Sequence, residues 1–323
     1  MTKEERPAPK APEKPDPLLG QVLNGRYLIE LKIGKGGFGA VYRGLEQGSN
    51  RPVALKLLHP TLTRDANLVA RFKREGEVAC NLRHPNTITT YEFTQTREGV
   101  LYIAMELLTG RSLDRVLADE GPLAWSRVLE ILAQMCGSLG EAHEQGIVHR
   151  DIKPENIHLE AREGRQDFVK VLDFGIAKIV GGEGAGLPQL TLKGQTLGTL
   201  EFMSPEQLKG KSLDGRSDIY AMGVVAFELL ADRLPQMNLK EPEAPSRSNP
   251  ESRIPHGVDY VVRKMLQQDR ERRYLSVEDL RRDLVEVLET EGRPPARATS
   301  EPIAAQSGWL QNALRAFGLG RRG

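Results

Sequence analysis

The stretch His149-Arg150-Asp151-Ile152-Lys153-Pro154-Glu155-Asn156 decides how this chain is read. Within one loop it supplies a carboxylate (Asp151), an ammonium (Lys153) and an amide (Asn156). Phosphoryl transfer needs such groups: one to take or orient a hydroxyl proton, one to neutralise the moving charge, one to hold Mg²⁺. Pro154 stiffens the turn. A charged surface loop accounts poorly for the segment. It follows an apolar helical stripe and precedes the strand-like run Ile157-His158-Leu159-Glu160.

Working outward, Val171-Leu172-Asp173-Phe174-Gly175 puts an acid directly after apolar residues. Asp173 therefore falls at a strand end, a natural place for a second Mg²⁺ ligand. On the N-terminal side, residues 33–41 read IGKGGFGAV, with glycines at 34, 36 and 39. A dinucleotide fold would need a helix to open at the third glycine, but Ala40-Val41-Tyr42-Arg43 reads as strand. A P-loop would need Ser or Thr after Gly-Lys, which is absent. A hairpin folded over a nucleotide fits better, because glycines let backbone N–H groups approach phosphate oxygens. Taken alone, an ordinary glycine-rich hairpin explains the run equally well. In residues 53–58, VALKLL, strand alternation sets Lys56 among apolar neighbours, where it needs an anionic partner. Glu75 lies within the apolar stripe Leu68, Phe72, Ala79 and Leu82 of a helical stretch over 65–83. Either these two form an ion pair, or both side chains reach out to water.

Glycine loop, strand lysine, helix glutamate, HRDIKPEN, DFG and Ser204-Pro205-Glu206 follow one another in a fixed order. In that order and spacing the chain resembles the eukaryotic-like (Hanks-type) serine/threonine protein kinases, and within them the bacterial branch. The resemblance covers residues 27–288. It implies an α+β, bilobal protein kinase-like fold, with a small β-rich N-lobe and a larger, mainly α-helical C-lobe. It implies transfer of the γ-phosphoryl group of ATP to Ser or Thr hydroxyls of protein substrates, with Mg²⁺. By similarity, Gly34, Lys35, Gly36, Gly37, Phe38 and Gly39 cover the phosphates. Ile33, Val41 and Ala54 surround the adenine, and Ala40 joins the nucleotide-binding set. Lys56 holds the α- and β-phosphates and pairs with Glu75. Met105 is the gatekeeper, and Glu106 and Leu108 are hinge positions whose backbone bonds adenine. Asp151 is the catalytic base, Lys153 matches the Ser/Thr-specific loop, and Asn156 and Asp173 bind the metal. Thr199 contacts Asp151 and Lys153, Glu206 pairs with Arg273, and Asp218 braces the catalytic loop. Arg150 before the catalytic Asp implies dependence on activation-loop phosphorylation. Thr191 and Thr196 are candidate acceptors. Thr191 is the expected site of autophosphorylation, which brings self-association of two copies with it.

The gross composition agrees. The 323 residues are 39% hydrophobic and 28% charged, enough for a packed core and an ordinary surface. A net charge of +1 gives no pull toward nucleic acid or membrane. Cys80 and Cys136 read as reduced core thiols of a cytoplasmic protein. The N-terminal stretch has no apolar core and no run of about 18 apolar residues occurs, so neither a signal peptide nor a membrane span is expected.

Residues 1–19, rich in Pro, Lys and Glu, read as a disordered tail, with structure beginning near Arg26. The kinase domain is expected over 26–289, with the N-lobe at 26–108 and the C-lobe at 109–289. Residues 290–323 carry five Arg and two Glu. They read as a linker followed by either a frayed terminus or a short amphipathic helix. Such a helix, with Trp309, Leu310, Leu314 and Phe317 on one side, would make weak contact with a partner or a membrane surface.

One segment departs from the family pattern. After the long apolar helix, residues 231–257 are short and Pro-rich where relatives carry a further helix. That places substrate docking in question and leaves a rival reading, a pseudokinase acting as a scaffold. Intact Lys56, Glu75, Asp151, Asn156 and Asp173 argue against it.

Overall fold

The structure, a computed structural model, describes residues 16–36, 39–58, 80–162, 164–174, 197–236, 239 and 241–292. Six strands form the N-terminal sheet: β1 (Val22–Leu23), β2 (Tyr27–Gly36), β3 (Gly39–Glu46), β4 (Arg51–Leu58), β5 (Thr90–Gln95) and β6 (Leu101–Glu106). They pair antiparallel in the order β1-β2-β3-β4-β6-β5. Val, Ile and Tyr at alternating positions bury one face: Tyr27, Ile29, Tyr42, Val53, Leu55 and Tyr102 form its core. Tyr27 and Tyr102 meet edge to face at 6.1 Å. Gly39 has φ of +156° and lies so close to β4 that a Cβ there would sit 1.9 Å from the Leu57 carbonyl oxygen. Only glycine fits where the loop closes onto the sheet.

The sequence sets the start of structure near Arg26, and the structure moves it earlier. Asp16 to Gly20 form a turn, and Gly20 N–H donates to Ile29 O at 2.8 Å. Asp16 accepts from Tyr42 Oη at 3.0 Å and pairs with Lys32 at 3.1 Å, while Leu18 packs on the small core. A polar segment needs few such bonds to be ordered beside an existing sheet, which composition alone does not reveal. Residues 1–15 lie outside the described residues, as do residues 59–79 with most of the expected 65–83 helix, and residues 293–323.

The larger part is helical. Its elements are α1 (Leu113–Glu120), α2 (Trp125–Glu144), α3 (Pro205–Leu208), α4 (Gly215–Ala231), α5 (Pro245–Ser248), α6 (His256–Met265) and α7 (Val277–Glu291). A second sheet, β7 (Arg111–Ser112), β8 (Ile157–Arg162) and β9 (Arg165–Val171), lies among them in the order β7-β8-β9. The apolar stripe of α2 (Val128, Ile131, Leu132, Met135, Leu139) is fully buried. Gly146, at φ +72°, turns the chain just beyond that helix. Ile219 to Phe227 in α4 are buried on every side, so the other helices pack around α4 as a central rod. Each such Leu or Val removed from water contributes about 1.5–3 kcal/mol.

Among its described residues the segment after α4 is short of helix. Asp232 caps α4 in a left-handed conformation, and α5 is a single turn followed by a 3₁₀ turn at Pro250–Ser252. Side chains hold it instead. Arg233 bonds Ser248 Oγ at 2.7 Å, Asn249 donates to Leu230 O at 2.9 Å, and Ser246 N–H donates to Asp259 at 3.0 Å.

Candidate active site

The segment 149–156 leaves α2 and runs to the start of β8, between the helical core and the second sheet. Ile152, Pro154 and Ile157 are buried and anchor it. Asp218, on the buried rod α4, then shapes its start. Its Oδ2 accepts His149 N–H and its Oδ1 accepts Arg150 N–H, each at 2.9 Å, while His143 Nε2 lies 2.7 Å from Oδ2. Arg150 sits at φ +70°, a conformation a non-glycine residue adopts only when its neighbours impose it.

The side chains that the sequence singles out converge here. Asp151 Oδ2 lies 3.1 Å from Lys153 Nζ and 3.0 Å from Asn156 Nδ2. Asn156 Nδ2 also donates to Asp151 O at 2.7 Å, so its amide oxygen is the end left for another group. Leu172 N–H donates to Asn156 O at 2.9 Å, which ties the loop to the strand end carrying Asp173. His149 is fully buried. It accepts Asp151 N–H on Nδ1 at 3.3 Å and therefore donates from Nε2 to Leu172 O at 2.6 Å. Its ring meets Phe174 edge to face at 4.7 Å.

Asp173 stands at φ +64° just beyond β9. Lys56 Nζ on β4 reaches it across the seam between sheet and helices, at 2.6 Å from Oδ2. Burial pushes the Asp173 carboxyl up, but the Lys56 ammonium outweighs it and holds the pKa below the usual carboxylate value. The partner that the resemblance gives Lys56, Glu75, lies outside the described residues, as do Gly37 and Phe38 of the glycine loop. Thr191 and Thr196 are also outside, and Thr199 is described only through its backbone, in a 3₁₀ turn at Leu197–Phe202.

Of the expected nucleotide-facing residues, Val41, Ala54, Met105 and Leu108 share one apolar cluster. Gly34, Lys35, Gly36 and Ala40 continue the β2–β3 ladder above it, and Ile33 is about half exposed. Ile88, Leu107 and Leu172 complete that cluster. Sequence reasoning missed all three. Leu172, next to Asp173, was the one within reach of it.

A second omission is larger. Lys170 on β9 is buried, and its Nζ donates to Glu106 Oε1 at 2.6 Å and to Thr87 O at 3.1 Å. Glu106 Oε1 also accepts Thr89 N–H at 2.7 Å, and Glu106 N–H donates to Thr89 O at 2.9 Å. The expected hinge residue is thus fixed by its side chain to the strand that leads into Asp173. A lysine between Val169 and Val171 carried the same signal as Lys56, a buried cation in need of an acid.

Below the loop, Arg273 and Glu206 form the expected pair, bidentate at 2.7 and 2.9 Å and nearly excluded from solvent. Ser217 Oγ adds a bond to Glu206 at 2.7 Å.

A curled antiparallel sheet over a helical body, with a lysine from the first meeting an aspartate from the second, is the architecture of the protein kinases. The chain belongs to the protein kinase domain family, whose sequence model matches residues 27–284. Its relatives include the serine/threonine-protein kinase pkn3 of Myxococcus xanthus, 40% identical over 280 residues, 83% of this chain and 51% of that protein. Another is the serine/threonine-protein kinase PknB of Mycobacterium tuberculosis, 35% identical over 286 residues, 84% of this chain and 44% of that protein. Among solved structures, the kinase domain of Mycobacterium tuberculosis PknI is 27% identical at a TM-score of 0.65, covering 83% of this chain and 97% of that one. The chain spans about half the length or less of these curated relatives.

Proposed function

We propose that this chain is a serine/threonine protein kinase that moves the γ-phosphoryl group of ATP onto hydroxyls of protein substrates. One observation carries the reading: Lys56, Asp173, Asn156, Asp151 and Lys153 form a connected set at the seam of the two lobes. The choice of Ser and Thr rests on Lys153 and on the relatives' names. A scaffold without catalysis finds no support in the described site, where Lys56, Asp151, Lys153, Asn156 and Asp173 are side chains of the type that catalysis requires.

In this reading Asp151 accepts the proton of the substrate hydroxyl, with its carboxylate oriented by Asn156 Nδ2. Lys153 offsets charge on the phosphoryl group in transit. Lys56 leaves Asp173 and takes the α- and β-phosphates, with Glu75 as its partner. The Val41, Ala54, Met105 and Leu108 cluster receives the adenine, and the Glu106 carbonyl and Leu108 backbone fix its edge. Asp173 and Asn156 fit Mg²⁺. Both offer hard oxygen donors, one of them ionised, and the Asn156 oxygen is the end not used by Asp151. The ion supplies charge neutralisation on the phosphates when bound. Among the described residues no helix is long and apolar enough to cross a membrane; the cytoplasmic placement we propose rests on Cys80 and Cys136 reading as reduced thiols.

Radiolabelled γ-phosphate tests this. With Mg²⁺ and casein, the chain transfers label to protein, and acid hydrolysis returns phosphoserine or phosphothreonine. No label on casein or on the chain itself overturns the reading. Mass spectrometry of the ATP-treated chain finds phosphate at Thr191; none within residues 176–203 removes that acceptor.

A further inference from the structure

We propose that Gln207 is a positioning residue for Asp151, acting through the peptide bond that joins Arg150 to Asp151. The inference rests on Asp151 being the catalytic base.

Arg150 is held at φ +70°, a conformation that its neighbours impose, and the peptide that follows it turns through Arg150 ψ and Asp151 φ. Both polar atoms of that peptide are engaged. Its N–H, from Asp151, donates to His149 Nδ1 at 3.3 Å. Its carbonyl, from Arg150, accepts Gln207 Nε2 at 2.6 Å. The oxygen side is the shorter bond and comes from outside the loop, 57 residues further along the chain. The plane fixes Asp151 φ, and with it the direction in which the Asp151 side chain leaves the backbone toward Lys153 and Asn156.

The start of α3 holds Gln207 in turn. Ser204 Oγ accepts Gln207 N–H at 3.3 Å, and Gln207 Oε1 accepts Ser204 N–H at 3.4 Å, a reciprocal cap. Both side-chain contacts of Gln207 require the same amide orientation: oxygen toward Ser204, nitrogen toward Arg150. The neighbouring Glu206 is locked by Arg273, so α3 is a fixed platform. The segment after the activation loop therefore sets the geometry of the catalytic carboxylate.

Chemistry separates the two roles. Gln207→Glu keeps an acceptor for the Ser204 cap and removes the N–H that reaches Arg150. Gln207→Ala removes both. In the full chain, Gln207→Glu lowers kcat about tenfold or more and leaves KM for ATP and the melting temperature at wild-type values. Gln207→Ala lowers kcat and also melts earlier. Hydrogen exchange of the amides in 147–153 is faster in Gln207→Glu, a readout independent of phosphate transfer. Wild-type kcat in Gln207→Glu overturns the proposal, as does a melting loss equal to that of Gln207→Ala. A wild-type chain that transfers no phosphate refutes the kinase reading instead. Exchange then still decides Gln207, and unchanged exchange in Gln207→Glu overturns its role.

Discussion

The Asp218 carboxylate, 1% exposed, accepts two consecutive amides of the catalytic loop and faces His143. Burial pushes its pKa up, but the His143 hydrogen bond and the Arg150 amide outweigh that and keep it low. Glu228, ten positions on in the same helix, shows the opposite balance. Burial first, then the charges of Glu155, Glu201, Asp232 and Asp114, raises its pKa from 4.5 to about 7. One of its oxygens is buried without a hydrogen-bond partner. A carboxyl with a raised folded pKa favours the folded state fully below its unfolded pKa, and that contribution is lost as pH climbs through about 7. Glu228→Gln has no charge to bury. It therefore raises the melting temperature more at pH 8 than at pH 5, and an equal shift at both values contradicts this account. At this scale the sequence was most legible. Asp151, Lys153 and Asn156 need only the right chemical types a few positions apart, and that spacing survives folding unchanged. Lys170 and Glu106, 64 residues apart, become partners only once β9 lies against the hinge.

Single turns and short helices do much of the positioning around the catalytic loop. α3 has four residues, yet it carries Glu206 into Arg273 and Gln207 toward Arg150. Burial raises the Glu206 carboxyl, but Arg273 and Ser217 more than offset it, and its pKa falls from 4.5 to about 2. A depressed carboxyl stabilises the fold above its unfolded pKa and loses that contribution as pH falls through about 2. Glu206→Gln leaves Arg273 buried and uncompensated, at a cost of about 3–5 kcal/mol. The gap between wild type and variant in urea midpoint is wide at pH 6 and narrows as pH drops toward 2. A constant gap contradicts the assignment. The existence and type of the long helices were readable from apolar periodicity, because α2 and α4 bury wide faces. The turn at Asp16 to Gly20 was not, since it is ordered by Lys32 and Tyr42 rather than by its own pattern. The shortened segment after α4 was legible from its prolines, whereas the Arg233 and Asn249 bonds that hold it were not.

Across the molecule, the two lobes are joined at more than the hinge. Val171 N–H donates to Asn86 O at 2.8 Å, and Ile88 N–H donates to Val171 O at 3.0 Å, extending β9 toward the sheet. Thr87 Oγ1 meets Ser138 Oγ of α2 at 2.7 Å. These bonds set the level of Lys56 relative to Asp173, so the lysine proposed for the phosphates and the aspartate proposed for the metal share one frame. The bilobal plan was legible through the resemblance, whose motifs run from strand-like stretches to a loop that follows an apolar helical stripe. The bonds between the lobes were not, because they come from a loop whose residues carry no periodic signal. The central claim is that this frame presents Asp151 as the base of phosphoryl transfer. Its most direct test is the steady-state rate of casein phosphorylation by Asp151→Asn beside wild type, with melting temperature measured on both. The account predicts a kcat lower by about 10²–10⁴ with the fold intact; equal phosphate incorporation by the two proteins would contradict it.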